Sequence, residues 1–335
     1  MTPENPAAFV GRFKAQLFDT TPQNFEAKAL EAFRFQAKHN PVYKLFVKYL
    51  RIEPTQVSSV EKIPFMPISF FKNHVIVSGN PAVQQVFESS GTTGQIRSQH
   101  HIADTDFYLR VCQQIFESYY GNLSDYTFLA LLPSYLERSG SSLVCMMDYF
   151  IKNASPFSGF YLHNTDELWE KLSQSRKARK KTILWGVTFA LLDLAEQSPC
   201  DLHDIIIMET GGMKGRKEEM VRQEVHDFLC KQWNVQKIHS EYGMTELLSQ
   251  AYSFGDGVFS APPWLKIMLR DANDPFDLNP KRAKGGVNVI DLANIESCCF
   301  IETGDIGEYS QNLTFSILGR LDNSDLRGCN LMLSF

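Results

Sequence analysis

Between residues 127 and 240, short β-rich runs alternate with helix-length stretches, and this alternation limits the possible folds more than any other feature of the chain. Residues 127–132, 182–185 and 205–208 are apolar or β-branched and short enough to be strands, and 237–240 reads as one more short strand. Residues 142–150, 189–196 and 217–233 lie among them and read as helices. Strands separated by helices cannot pair as tight hairpins; they pair in parallel, with the helices laid on the sheet. The expected fold class is α/β, with mostly parallel sheets flanked by helices. From about residue 258 onward the pattern changes to short strands and turns, which predicts a β-rich subdomain toward the C-terminus. The expected division is an α/β core over 1–255, the β-rich subdomain of the same domain over 256–320, and a hinge-like tail over 321–335.

Ahead of the alternating region, residues 23–50 read as helical with an interruption at Asn40-Pro41. Pro54, Pro64 and Pro67 make residues 54–80 irregular. A strand is expected over 83–87 and a second extended segment over 95–102. Asp104 is a good N-cap for a helix over 105–119.

Composition narrows the class further. With 44% apolar and 21% charged residues the chain can form a full core, and its 25 Phe read as packing residues. A net charge of −5 argues against nucleic-acid and anionic-membrane partners. No window approaches the ~18 uninterrupted apolar residues of a membrane span, and residues 1–10 lack the pattern of a signal peptide. The seven cysteines include no C-x-x-C pair, and Cys298 and Cys299 would face opposite sides of a strand. Reduced thiols and a cytoplasmic location are therefore expected. The basic run at 176–181 reads as a solvated helix end.

Four motifs carry chemistry. The first is Ser89-Ser90-Gly91-Thr92-Thr93-Gly94. Its glycines let the backbone aim several N–H groups into one concavity and its hydroxyls add donors, which suits phosphate oxygens. No Gly-Lys-Ser/Thr follows and no helix opens there, so it is neither a Walker loop nor a dinucleotide fingerprint. An ordinary hairpin turn is the alternative. The second is Glu241-Tyr242-Gly243-Met244-Thr245-Glu246, directly after the strand at 237–240. A hydroxyl and a carboxylate at the end of a buried strand stand where phosphate and Mg²⁺ ligands stand in open sheets. Mg²⁺ takes one or two carboxylates plus substrate phosphates, so Glu246 alone would suffice. The competing reading is a helix start, capped by Thr245 with Glu246 in its first turn. Thr303-Gly304-Asp305 and Gly319-Arg320-Leu321-Asp322, the latter followed by Leu326-Arg327-Gly328, are each common turns when taken singly.

In this order the four motifs resemble those of the adenylate-forming superfamily: acyl-CoA synthetases, firefly luciferase and peptide-synthetase adenylation domains. The resemblance covers residues 89–328. It implies the large N-terminal domain of an acyl-CoA synthetase-like enzyme, with ATP and Mg²⁺ as cofactors. It places Ser89, Ser90, Gly91, Thr92, Thr93 and Gly94 on the phosphates and Gly211 and Gly212 beside the adenine. Tyr242, followed by Gly243, would stack on that base, and Thr245 and Glu246 would handle phosphate and metal. Asp305 and Arg320 would hold the ribose, and Asp322 matches a hinge before the family's small C-terminal domain. Only 15 residues follow Arg320, so that domain and its assisting lysine are expected to be absent. Lys214 and Arg216 are candidate substitutes, or simply a solvated helix start.

One branch resembles the chain more closely: the acyl-protein synthetases of bacterial luciferase fatty-acid reductase systems. Residues 132–142 and 209–216 carry that likeness, as does Cys329 after Arg327-Gly328. The branch implies activation of a carboxylic, fatty acid to an acyl-adenylate and transfer of the acyl group to a thiol, with Thr245, Glu246 and Cys329 catalytic. The implied partners are the acid and an acyl-accepting protein, carrier protein or CoA. A non-catalytic nucleotide-binding protein of the same fold, and an acyltransferase using a pre-activated donor, remain as alternatives. Cys329 has a buried structural role as its own alternative. His100 and His101 must face opposite sides of their strand, so one lines the cleft or both are packed or solvated. Residues 143–150 and 185–189 wall an acyl pocket or form plain core.

Overall fold

The computed structural model describes residues 5–89, 96–132, 140–161, 164–211, 220–278, 282–310 and 314–321. Three helices open the chain: α1 (Pro6–Ala15), α2 (Phe25–His39) and α3 (Pro41–Tyr49). The break between α2 and α3 falls at the expected step. Asn40 Oδ1 accepts from the N–H groups of Val42 and Tyr43 at 3.1 and 3.0 Å, and Pro41 takes the first helical position, where no N–H is needed. Residues 54–80 are largely irregular and contain only the short β1 (Met66–Pro67) and α4 (Phe70–Asn73) as strand and α-helix. β2 (Gln85–Glu88) and β3 (Gln99–Ile102) form a separate antiparallel pair, so the extended segment expected over 95–102 pairs only from Gln99. Asp104 caps α5 (Thr105–Tyr120), its Oδ1 accepting from the N–H of Phe107 at 2.9 Å.

The alternation then unfolds as expected: β4 (Tyr126–Leu131), α6 (Ser142–Lys152), β5 (Gly159–Phe160), α7 (Thr165–Lys177), β6 (Lys181–Val187), α8 (Thr188–Gln197), β7 (Ile206–Thr210), α9 (Arg222–Trp233) and β8 (His239–Tyr242). β5, β4, β6, β7 and β8 lie side by side in that order, all parallel. All of β4 and nearly all of β6 is buried, because helices cover both faces. On one face, Phe116 of α5 and Phe150 of α6 pack on Phe128 and Trp185. On the other, Ser175 of α7 bonds the hydroxyls of Thr127 and Thr182, which alternate with those aromatics along the strands.

β9 (Ala251–Ser253) turns back antiparallel to β8, and β10 (Val258–Ser260), β11 (Leu265–Arg270), β12 (Lys284–Asp291), β13 (Phe300–Tyr309) and β14 (Phe315–Arg320) follow. These continue the same sheet, giving twelve strands in the order β11-β12-β13-β14-β10-β9-β8-β7-β6-β4-β5, with β1 pairing parallel to β13. The N-terminal helices pack on this antiparallel half. The rings of Phe33 and Tyr43 meet Phe300, and Gln36 Nε2 donates to the carbonyls of Asn294, Ile295 and Ser297. The many phenylalanines thus serve packing.

Two details differ from expectation. The helix read over 217–233 begins at Arg222; Glu224 accepts from the N–H of Val221 at 3.1 Å and fixes the start there. Cys298 and Cys299 precede β13 instead of lying in it, and both are fully buried. Burial pushes the Cys298 thiol up to about 12 and Cys299 well above its ordinary value, which makes both poor nucleophiles. No described helix is long and apolar enough to cross a membrane.

Candidate functional site

β7 and β8 are neighbouring parallel strands whose carboxyl ends lie together, with Thr210 beside Glu241 in register. In open α/β sheets, ligands bind in the crevice outside such ends. The chain leaving β8 does not start a helix. Thr245 and Glu246 occupy a turn closed by the N–H of Leu247 on the carbonyl of Met244 at 3.1 Å. The reading of Thr245 as a helix cap is thereby corrected, and the cause is tertiary. Backbone groups of this segment are taken by side chains far away in sequence. His100 Nδ1 lies 2.8 Å from the Thr245 carbonyl, Asn294 Nδ2 donates to the Glu246 carbonyl at 2.9 Å, and Asp291 Oδ2 accepts from the N–H groups of Leu248 and Ser249 at 3.0 and 2.9 Å.

On one side of this segment stand Asp305 and Arg320, the two residues that the resemblance assigns to the ribose. Asp305 on β13 and Arg320 on β14 are register partners. The Tyr242 hydroxyl donates to Asp305 Oδ2 at 2.8 Å, and Arg320 Nε lies 3.4 Å from Oδ1. Burial and the adjacent Asp305 carboxylate raise the Tyr242 hydroxyl well above its ordinary value, so it stays a donor. Arg320 is 75% exposed in its side chain while Asp305 is buried. The contact therefore contributes little stability and leaves the guanidinium free to reach a ligand.

Beneath Asp305 lies Arg270, buried at the end of β11. Its Nη2 donates to the Thr303 carbonyl at 2.9 Å and its Nη1 to the Val287 carbonyl at 3.1 Å. A Cβ on Gly286 would come 2.4 Å from that Nη1, so only glycine leaves room for the guanidinium. Thr303 Oγ1 in turn accepts from the N–H of Asp305 at 3.1 Å.

On the other side stands Glu246, 5% exposed, with the Ser98 side chain beside its carboxyl. Ser98 pairs with Ser89 at the start of the phosphate-type motif: Ser89 N–H donates to the Ser98 carbonyl and Ser98 N–H to Ser89 Oγ, both at 3.0 Å. Burial raises the Glu246 carboxyl, and the Asp305 charge adds to it, against the Ser98 side chain and Arg320. A buried carboxylate short of cationic partners fits a divalent cation shared with phosphate oxygens. Among the described residues no group of three His, Cys, Asp or Glu forms a protein-only metal cage, and a phosphate-bridged Mg²⁺ does not need one.

Two glycines are explained locally. Gly211, just past β7, has φ +78° and open space around its Cβ position, and Thr188 Oγ1 donates to its carbonyl at 3.0 Å. A Cβ on Gly243 would lie 2.3 Å from Glu241 Oε1, so a side chain there would have to push that buried carboxylate aside.

The structure thus brings Ser89, Gly211, Tyr242, Gly243, Thr245, Glu246, Asp305 and Arg320 around the strand ends. Ser90, Gly91, Thr92, Thr93, Gly94, Gly212, Lys214, Arg216, Asp322 and Cys329 lie outside the described residues. Sequence reasoning missed Ser98, Asp291, Asn294 and Arg270, and it left His100 undecided. Alternation on β3 does bury His100 and leave His101 partly exposed. Burial drops the His100 ring to about 4, so it is neutral, and the carbonyl acceptor assigns the proton to Nδ1. No motif spacing signals the other four, because their partners lie on distant strands.

No protein-family model matches the chain, and neither does any curated protein. Solved structures do. 2-Hydroxyisobutyryl-CoA ligase in complex with 2-HIB-AMP and CoA is 14% identical with a TM-score of 0.62, over 95% of this chain and 70% of that one. ATP-bound MatB from Rhodopseudomonas palustris is 16% identical with a TM-score of 0.53, over 71% of this chain. McyG A-PCP complexed with phenylalanyl-adenylate is 15% identical with a TM-score of 0.51, over 83% of this chain. The matched region spans about half the length of the latter two, 48% and 47%. These neighbours are adenylate-forming, acyl-CoA synthetase-like enzymes. The fold is the mixed α/β fold of their large N-terminal domains.

Proposed function

We propose that this chain activates a carboxylic acid with ATP, giving an acyl-adenylate and pyrophosphate, and passes the acyl group to a thiol. The observation that carries this reading is the convergence of four distant segments. Tyr242 bonds Asp305, Asp305 faces Arg320, and Glu246 lies beside Ser98, which pairs with Ser89 at the start of the Ser89–Gly94 motif, all at one set of strand ends. In the first step a carboxylate oxygen attacks the α-phosphorus, and the bond from that phosphorus to the pyrophosphate oxygen breaks. Asp305 and Arg320 would hold the ribose and the loop the departing phosphates. Holding two anions in line is the main task, and orientation alone contributes on the order of 7–11 kcal/mol. A magnesium ion on Glu246 would supply charge neutralisation. In the second step a thiolate attacks the mixed anhydride and AMP leaves. The likeness to acyl-protein synthetases supports Cys329 as that thiol and a fatty acid as the acyl source, with a protein, carrier protein or CoA as final acceptor.

Acid-dependent ATP–pyrophosphate exchange, with Mg²⁺ and a panel of acids, tests the reading. Glu246→Ala should abolish exchange while retaining the wild-type melting profile. Cys329→Ser should keep exchange and lose covalent acylation. Tight ATP binding without exchange on any acid would make the chain a nucleotide-binding protein that is not a ligase.

A further inference from the structure

We propose that the outer face of α3, with the residues at either end of that helix, is a docking surface for an anionic lipid bilayer. The charge of the whole chain hides it. The total is −5, yet residues 32–87 carry seven Lys and Arg against two Glu, and residues 32–52 carry five with no acid among them. All five are exposed. Arg34 donates to the Val57 carbonyl at 3.2 Å, whereas Lys38, Lys44, Lys48 and Arg51 enter none of the ion pairs among the described residues. The acids that flank this stretch are engaged elsewhere: Glu31 pairs with Arg12 at 2.9 Å, and Glu53 accepts from the Thr55 hydroxyl at 3.1 Å. Lys38 and Lys44 sit on different helices but in one neighbourhood, since after burial their two charges are what lower the His39 ring.

A helix on a folded domain turns its apolar residues inward, and α3 does so with Tyr43 and Val47. Its outer face is not purely polar. Leu45 is 50% exposed and Tyr49 80%. One turn apart, they form a row beside the row of Lys44 and Lys48. Half-buried Phe46 comes next round the helix, and its ring meets Phe70 of α4 at 5.7 Å. Single exposed apolar side chains are ordinary, but a pair flanked by four unpaired cations in an acidic chain is not. An anionic bilayer matches both parts. Headgroup phosphates meet the four cations without a fixed register, and Leu45 and Tyr49 reach the acyl boundary. Tyrosine is favoured at that depth because its ring is apolar while its hydroxyl stays wet. An acidic protein would answer the charges but would need a pocket for a side chain as exposed as Tyr49. The surface also adjoins the strand-end site: Phe71, next after Phe70, packs edge-on against His100 at 5.5 Å, and His100 bonds the Thr245 carbonyl. Docking does not depend on the adenylation reading; where both hold, the enzyme sits against the phase in which apolar acids collect.

Flotation of the full chain with two kinds of vesicle tests this: phosphatidylcholine alone, and phosphatidylcholine with about 30% phosphatidylglycerol. Binding to the anionic vesicles should be about tenfold or more tighter than to the neutral ones and should be lost by about 0.5 M salt. Lys44→Glu with Lys48→Glu should remove the preference for anionic vesicles. Leu45→Ser with Tyr49→Ser should weaken binding to them about tenfold or more. All four side chains are exposed, so circular dichroism melts of both variants should match the wild type. Lys177→Glu with Arg179→Glu, in the basic run at the end of α7, should change binding little. Equal binding to both vesicles, binding to neither, or an equal loss from the Lys177 and Arg179 pair overturns the proposal. Retention on immobilised polyglutamate that the Lys44 and Lys48 reversals abolish, without vesicle binding, also overturns it and assigns the surface to an acidic protein.

Discussion

Trp264 and Trp185 are both buried indoles, yet they live in opposite surroundings. Trp264 Nε1 donates to Ser249 Oγ at 3.0 Å, and that hydroxyl donates to Asp291 Oδ1 at 2.7 Å. The same carboxylate takes the N–H groups of Leu248, Ser249 and Ala293. Trp185 Nε1, on the face under α5 and α6, has no partner. The Asp291 carboxylate, which holds Leu248 and Ser249 in place, has its bonds made within the protein. The Trp185 indole, packed among aromatic rings beneath that segment, makes none. Saturated networks specify shape, and an unpaired buried group costs stability unless water or another partner meets it.

The largest test of this contrast is Asp291→Ala. It strands three backbone N–H groups and one hydroxyl in a fully buried site, so a loss of about 3–5 kcal/mol is expected in urea unfolding. Exchange activity should fall with it, since the segment bearing Glu246 would lose its anchor. A loss below about 1 kcal/mol would show that Asp291 is not the support that its bonds suggest.

The same contrast explains what was legible in the sequence. Parallel strands and their helices showed through because each element states its period locally, as in residues 142–150 and 182–185. Tyr242, Glu246, Asp305 and Arg320 could be singled out because their motifs are local strings. Asp291, Arg270 and Ser98 could not, because each acts on a partner that only the tertiary fold brings near, such as Arg270 on the Thr303 carbonyl. The competing reading of a helix start at Thr245 fails for the same reason: Asp291, Asn294 and His100 claim that segment's backbone. Propensity gives way where distant side chains take the bonds.

A smaller effect separates two carboxylates on opposite faces of adjoining strands. Thr188 Oγ1 donates to Glu209 at 2.5 Å and Ser240 Oγ at 3.2 Å, with His226 nearby. Although burial works against it, the His226 contact and the Arg222 charge hold Glu209 below its ordinary value. Glu241 has only Thr210, and burial lifts it from 4.5 to about 7, with the Glu209 charge adding to the rise. A group raised in the folded state binds its proton there first, so its stabilising contribution is present below pH 4.5 and is lost as pH rises through about 7. The loss amounts to roughly 3 kcal/mol. His100 and His239, both lowered to about 4, act with the opposite sign between pH 4 and 6.5. The readout is therefore the difference between wild type and Glu241→Gln. The variant should gain on the wild type as pH rises from 5 to 8. A constant difference across that range would place the Glu241 proton elsewhere.

The finest test uses one substitution at two tyrosines. Tyr43 and Tyr252 are both fully buried, and the Tyr43 hydroxyl donates to the Pro64 carbonyl at 2.6 Å while that of Tyr252 meets no protein group. Tyr43→Phe removes a made bond and leaves a buried carbonyl unpaired, which should cost about 1–2 kcal/mol. Tyr252→Phe removes only an unpaired hydroxyl, so it should fall within about 0.5 kcal/mol of wild type or be slightly more stable. Urea unfolding of the two variants side by side compares them directly. Equal losses would mean that the Tyr252 hydroxyl is bonded in the resting protein, by ordered water for instance. The face under α5 and α6 would then be as saturated as the floor around Asp291, and the distinction between paired and unpaired groups would disappear.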